Sequence, residues 1–135
     1  MMNIISHTAT VPISALFQTL GVAPRLEILL AIGAGEACVC HLEAALGYRQ
    51  SFISQHLMAL REANLLETRR EGRFVYYRLA DRRILDVLAQ AGALLGQAVA
   101  VQSSPVAACE CPNCATTKVA RLCPDPLIGE QERVA

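Results

Sequence analysis

The sequence contains no tryptophan, and only 4% of its 135 residues are aromatic. Its apolar content, 53% of the chain, comes mostly from Ala, Leu, Ile and Val. That is enough to build a core, which excludes global disorder, and the Ala and Leu content leans towards helices. A length of 135 residues leaves no room for a two-domain enzyme with a separate cofactor domain. No export leader is expected, since Met1 to Thr10 has neither a basic stretch nor a continuous apolar run. Thiols in such a chain are expected to stay reduced in the cytoplasm, as ligands or redox groups and not as structural disulfides. From Val87 to Cys109 there is no charge, but Gln90, Gln97, Gln102, Ser103, Ser104 and two glycines interrupt the run. It does not read as a membrane span, and no membrane partner is expected.

Net charge is absent too, since 12 basic residues balance 12 acidic ones. The zero conceals a segregation. Residues 47–83 carry eight arginines against four acidic residues, whereas the flanking segments are slightly acidic. Every positive charge in that block is arginine, the side chain suited to bidentate phosphate and guanine contacts.

Apolar spacing and punctuation divide the chain. Residues 1–11 read as a loose arm. Pro12 opens a first helix closed by Gly21, and Pro24 a second ended by Gly33 and Gly35. A third helix spans about Val39 to Leu46 and a fourth about Gln50 to Ala63, separated by Gly47-Tyr48-Arg49. Two helices joined by so short a Gly-containing turn form a helix-turn-helix. The segments Leu66–Arg70 and Phe74–Leu79 are rich in β-formers around Glu71-Gly72-Arg73, a hairpin turn. Asp81 then caps a long helix expected to reach about Gln102, with an apolar stripe through Ile84, Val87, Leu88, Ala91, Leu94, Leu95, Ala98 and Val99. The other face of that helix is almost uncharged, so it should pack on a partner, most simply its copy in a homodimer. The expected fold class is therefore mainly α with a small β-hairpin, a winged helix-turn-helix over residues 12–102. Residues 103–135 form a cysteine-rich tail.

In the fourth helix Ile53, Leu57 and Leu60 share one face, and Ser51, Ser54, Gln55 and Met58 share the other. Short hydroxyls and an amide suit close entry into the major groove of double-stranded DNA. Arg49 and Gln50 stand at the helix N-terminus, where backbone amides also attract phosphate. Arg69, Arg70 and Arg73 on the hairpin would follow the neighbouring backbone or minor groove. His56 lies at the edge of the apolar face, where packing inside the helix-turn-helix is favoured over base contact.

Two thiol clusters complete the inventory: Cys38-Val39-Cys40, and Cys109-Glu110-Cys111-Pro112-Asn113-Cys114 with Cys123 beyond. In a regular helix, side chains two apart diverge by about 200°, so Cys38 and Cys40 converge only if the helix start is extended. A thiophilic ion held there would disturb the first helix of the helix-turn-helix, and the helix N-terminus favours thiolate. His7, His41 and His56 fall on the arm and on tightly built helices, which offers little to a cysteine-nucleophile enzyme.

Cys38-Val39-Cys40-His41-Leu42, then Ser51-x-x-Ser54-x-His56-Leu57-x-x-Leu60, then Leu65-Leu66 and Arg73-x-x-Tyr76-Tyr77-Arg78-Leu79 closely resemble the ArsR/SmtB family of winged-helix repressors that sense metals and metalloids. The resemblance covers about residues 12–100. It implies a homodimer built on the first and last helices, seated on a palindromic operator and released by an inducer. The family's arsenite-sensing pattern is Cys-Val-Cys-Asp-Leu-Cys; here His41 replaces the aspartate and Glu43 stands in place of the third cysteine. A third sulfur would come from the tail, with Cys109, Cys111 and Cys114 as candidates. The family's zinc site on the last helix needs His and Glu, which that helix lacks. No obligatory cofactor is implied. Sulfur ligation points to As(III) or Sb(III) with three thiolates, or to Cd, Pb or Zn with four. Three alternatives are a thiol redox or persulfide sensor of the same fold, a Cd/Pb-responsive repressor, and a constitutive DNA-binding module whose tail is a structural zinc knuckle.

Overall fold

The computed structural model of the chain describes residues 7–101. Cys109, Cys111, Cys114 and Cys123 lie outside the described residues. The order of elements is α1 (His7–Leu20), α2 (Ala23–Ile32), β1 (Glu36–Cys38), α3 (Val39–Leu46), α4 (Gln50–Glu62), β2 (Leu66–Glu71), β3 (Phe74–Leu79) and α5 (Arg83–Leu94). This is a winged helix-turn-helix: α3 and α4 are the paired helices and β2–β3 the wing. The core is centred on α2, whose Ile28, Leu29 and Ile32 are buried with Leu42 of α3 and with Ile53, Leu57 and Leu60 of α4. Leu66, Leu79, Ile84 and Leu88 close it from the wing and α5.

Local signals set most boundaries. Gly47 caps α3 with φ +76°, a left-handed conformation glycine adopts without strain, and its N–H donates to the Glu43 carbonyl. Past the end of α4, Asn64 takes φ +60°, and the Leu65 N–H donates to the Leu60 carbonyl at 3.0 Å. This is the bond pattern by which a left-handed residue stops a helix. In the wing, Glu71 pairs with Phe74 across the two-residue loop Gly72-Arg73, and Gly72 has φ +59°. Arg82, not the expected Asp81, is the N-cap of α5; one residue earlier, Asp81 accepts the Arg83 N–H at 2.9 Å and forks the Arg83 guanidinium, which holds its carboxyl down to about 2.

Three more expectations need correction. The first helix begins at His7, not Pro12, so residues 7–11 of the expected arm are helical and Pro12 lies inside α1. A third strand, β1, joins the sheet in the order β1-β3-β2. The last helix stops at Leu94 instead of running to Gln102. Gly96 turns left-handed at φ +69°, and the Gln97 N–H donates back to the Gly92 carbonyl at 2.8 Å. The chain then lies over Gly92, where a Cβ would stand 2.5 Å from a Val99 methyl. The apolar stripe is therefore broken before Ala98 and Val99, and Leu94 and Leu95 are exposed. No single helix among the described residues is long and apolar enough to cross a membrane.

Candidate nucleic-acid interface and thiol pair

α4 buries Ile53, Leu57 and Leu60 and presents Ser51, Phe52, Gln55 and Met58 outward, with Ser54 half-buried. Arg49 is its N-cap and makes no side-chain cap bond. The first amides of α4 therefore receive no side-chain acceptor from the cap and can serve an anion. Arg49 and Gln50 are both exposed beside them.

His56 is half-buried and engaged within the protein. Arg25 Nε donates to His56 Nδ1 at 3.4 Å, and Arg25 Nη1 donates to the Thr19 carbonyl at 3.0 Å. Arg25 thus ties the end of α1 to α4. Burial, and then the Arg25 charge, lower the His56 pKa from its ordinary value. The ring stands edge-on to Phe52 at 4.6 Å, and Phe52 meets Tyr48 at 4.9 Å. The Tyr48 hydroxyl donates to Glu27 at 2.7 Å. This ladder escaped the sequence reading, although its spacing of four residues (48, 52, 56) was the available signal.

The wing divides its arginines. Arg70 and Arg73 are exposed, Arg73 lying 5.7 Å over the Phe74 ring. Arg69, expected to follow the DNA backbone, is engaged within the protein instead. Its guanidinium forks Glu36 of β1 through Nε at 2.9 Å and Nη2 at 2.9 Å, and also meets Glu71 at 3.0 Å. It lies 4.6 Å over the Tyr76 ring. The pairing raises its own pKa and lowers that of Glu36.

Cys38 and Cys40 come together. Cys38 ends β1 with extended φ −87° and ψ 169° and is at once the N-cap of α3, its sulfur accepting the His41 N–H at 3.4 Å. The two sulfurs stand 2.7 Å apart. An extended residue before the first helical turn cancels the divergence of a regular helix, so α3 needs no unwinding to bring them together. Cys38 is buried against Tyr76, with Cys40 and Phe74 packed on the pair. A sulfur at a helix N-cap is placed to carry negative charge. His41 is buried, which lowers its pKa. Among the described residues no group of three His, Cys, Asp or Glu is placed to hold a metal ion. The pair supplies two soft donors, so it fits a thiophilic ion only as part of a larger set.

Residues 24–68 match the model of bacterial regulatory proteins of the arsR family. Over that segment the chain carries an ArsR-family helix-turn-helix domain. Similar proteins include a transcriptional repressor SmtB homolog of Synechocystis, 39% identical over 71 residues that cover 53% of this chain and 54% of that one. The arsenical resistance operon repressor of Escherichia coli is 47% identical over 66 residues, 48% of this chain and 56% of that one. The chain thus spans little more than half the length of the curated relatives it matches. Among solved structures, a homodimeric winged helix-turn-helix DNA-binding domain from Mycobacterium bovis, a possible ArsR-family regulator, superposes with a TM-score of 0.59. It is 28% identical, and the match covers 71% of this chain and 91% of that one.

Proposed function

We propose that this chain is an ArsR/SmtB-family DNA-binding transcriptional repressor that leaves its operator when a thiophilic ion binds Cys38 and Cys40. The observation that carries the reading is the convergence of these two sulfurs at the junction of β1 and α3. Tail thiols Cys109, Cys111 and Cys114 would complete the donor set. Three thiolates in a pyramid suit arsenite or antimonite, the favoured inducers; four would suit cadmium, lead or zinc. The protein acts as a homodimer without enzymatic activity. Ser51, Ser54 and Gln55 read base edges, while Arg49, Gln50, Arg70, Arg73 and the first amides of α4 hold phosphates. His56 positions the helix from behind, and Phe52 offers an apolar edge to a thymine methyl.

The test is a fluorescence-anisotropy titration of the reduced full chain on a duplex selected from random DNA. Arsenite, antimonite, cadmium, lead and zinc are added separately, with Cys38→Ser alongside. One ion should weaken wild-type binding by on the order of 10-fold or more, a usual coupling between two sites, and leave the variant bound. Release by peroxide alone would support the redox reading, since the same sulfur pair is placed to form a disulfide. Tight zinc with no release by any ion would support the structural knuckle.

A further inference from the structure

Arg25 occupies an unfavourable place. It stands in the first turn of α2, where the helix dipole opposes a cation, and it is half-buried. Among the described residues no carboxylate pairs with it. Its guanidinium serves two neutral acceptors instead. Nη1 donates to the Thr19 carbonyl at the end of α1 at 3.0 Å, and Nε donates to His56 Nδ1 on α4 at 3.4 Å. Three helices therefore meet at one side chain. An arginine keeps its protons in a protein, so His56 must accept at Nδ1 and carry its own proton on Nε2.

We propose that Arg25 is a positioning residue for base reading, which acts through His56 to fix the rotation of α4 about its own axis. This rests on the DNA-binding reading above. Ile53, Leu57 and Leu60 bury α4 by apolar contact, which sets its depth but has little direction. A hydrogen bond to an imidazole nitrogen is directional. Side-chain ends lie about 5–6 Å from a helix axis, so a rotation of about 10° moves them by about 1 Å. That is enough to break a base-edge hydrogen bond from Ser51 or from Gln55, the neighbour of His56.

The bond exists only while His56 is neutral. Protonation sets an N–H at Nδ1 against the guanidinium N–H and brings two cations face to face. Arg25 is the charge that acts on the ring. Glu27, the carboxylate of α2, is taken by the Tyr48 hydroxyl. On α1 the one titratable side chain is His7, at the far end from Thr19. On α4 the turn neighbours of His56, which are Phe52, Ile53, Ala59 and Leu60, carry no charge. Burial and the Arg25 charge keep the ring neutral until the pH is below the ordinary 6.5.

The full chain is measured by anisotropy on a selected duplex and on a scrambled duplex of the same length. The readout is the ratio of the two affinities, in which a loss of folded protein and the general attraction to phosphate cancel. Arg25→Met keeps an unbranched stem and removes the donors. Its ratio should fall by about 10-fold, the size of one mismatched base pair, with an unchanged salt slope on the scrambled duplex. The wild-type ratio should also fall between about pH 7.5 and 5.5, because His56 must shed its proton for α4 to align. His56→Asn offers an amide oxygen in place of Nδ1 and does not titrate, so it should remove that fall. Should Arg25→Met fail to fold, the two pH profiles decide alone. A wild-type ratio in folded Arg25→Met overturns the proposal. So does an equal loss on both duplexes with a shallower salt slope, the mark of a phosphate contact, or one pH profile shared by wild type and His56→Asn. A wild type that prefers no selected duplex defeats the DNA-binding reading itself, and this one with it.

Discussion

Phe52 is a large apolar residue left on the exposed face of α4. Its ring is 38% exposed, yet it is braced on both sides, by Tyr48 and by His56. A braced ring loses little freedom on binding, so apolar contact with a base comes at small entropic cost. If Phe52 meets a thymine methyl, replacing that thymine by deoxyuridine removes only the methyl, worth about 0.8 kcal/mol or roughly fourfold in affinity. Scanning deoxyuridine through a selected duplex should find such a position in each half-site, and Phe52→Ala should abolish the sensitivity there. Equal sensitivity in the variant would place the contact elsewhere. His56, behind Phe52, makes a prediction of the opposite kind. Its folded pKa lies below the ordinary 6.5, so the unfolded chain takes up a proton first as pH falls. The stability it contributes is complete above 6.5 and declines as pH drops through its folded pKa. Buried His41 adds a decline of the same sign. Urea midpoints should fall between pH 7.5 and pH 5.5, and less steeply in His56→Gln. A flat profile, or an identical slope in the variant, would contradict this.

Among elements, those bounded by glycine were legible in the sequence. Gly47 and the Gly72 turn end or join segments whose backbone must go left-handed, and that requirement is written in residue type. Strand β1 was not legible, because three residues show no period; its existence depends on a hydrogen-bonding partner about forty residues away. The same blindness hid the fate of Arg69, whose partner Glu36 sits on that strand. The convergence of Cys38 and Cys40 was legible as a condition, an extended helix start, but only the pairing of β1 with β3 supplies it. The end of α5 is not legible because the apolar spacing continues past Leu94 to Val99. Gly92 gives room to the returning chain. A Cβ there would stand 2.9 Å from the Gln97 carbonyl oxygen and closer still to Val99. Gly92→Ala should gain up to about 1 kcal/mol of helix propensity and expel the segment 97–99. Exchange of the Gln97 amide, now bonded to the Gly92 carbonyl, should then accelerate at least tenfold while the α2 core amides stay protected. Unchanged exchange at Gln97 would show that the turn tolerates the methyl.

At the scale of the molecule, zero net charge has to be reconciled with the proposed binding of a polyanion. Arg69, Arg78 and Arg83 each face a carboxylate, and among the exposed arginines Arg49, Arg70 and Arg73 stand at the N-terminus of α4 and on the wing. A protomer therefore offers few phosphate contacts, too few for tight binding alone, and a two-fold dimer doubles them. The apolar surface fits this need. Val11, Ile13 and Phe17 of α1 and Leu94 and Leu95 at the end of α5 are all more than half exposed, more apolar side chain than a solitary domain usually leaves in water. Because Phe17 is already 56% exposed, Phe17→Glu should cost the isolated fold little. In a symmetric dimer each contact occurs twice, so losing a buried phenylalanine removes about 3–6 kcal/mol, a weakening on the order of 100-fold or more. Sedimentation should show a folded monomer where wild type is a dimer. The slope of log affinity against log salt should fall from about −5, for three contacts per protomer, to roughly half that. A monomeric wild type, or a variant that dimerises equally well, would place the interface elsewhere; an unchanged slope would mean that one protomer alone makes the phosphate contacts.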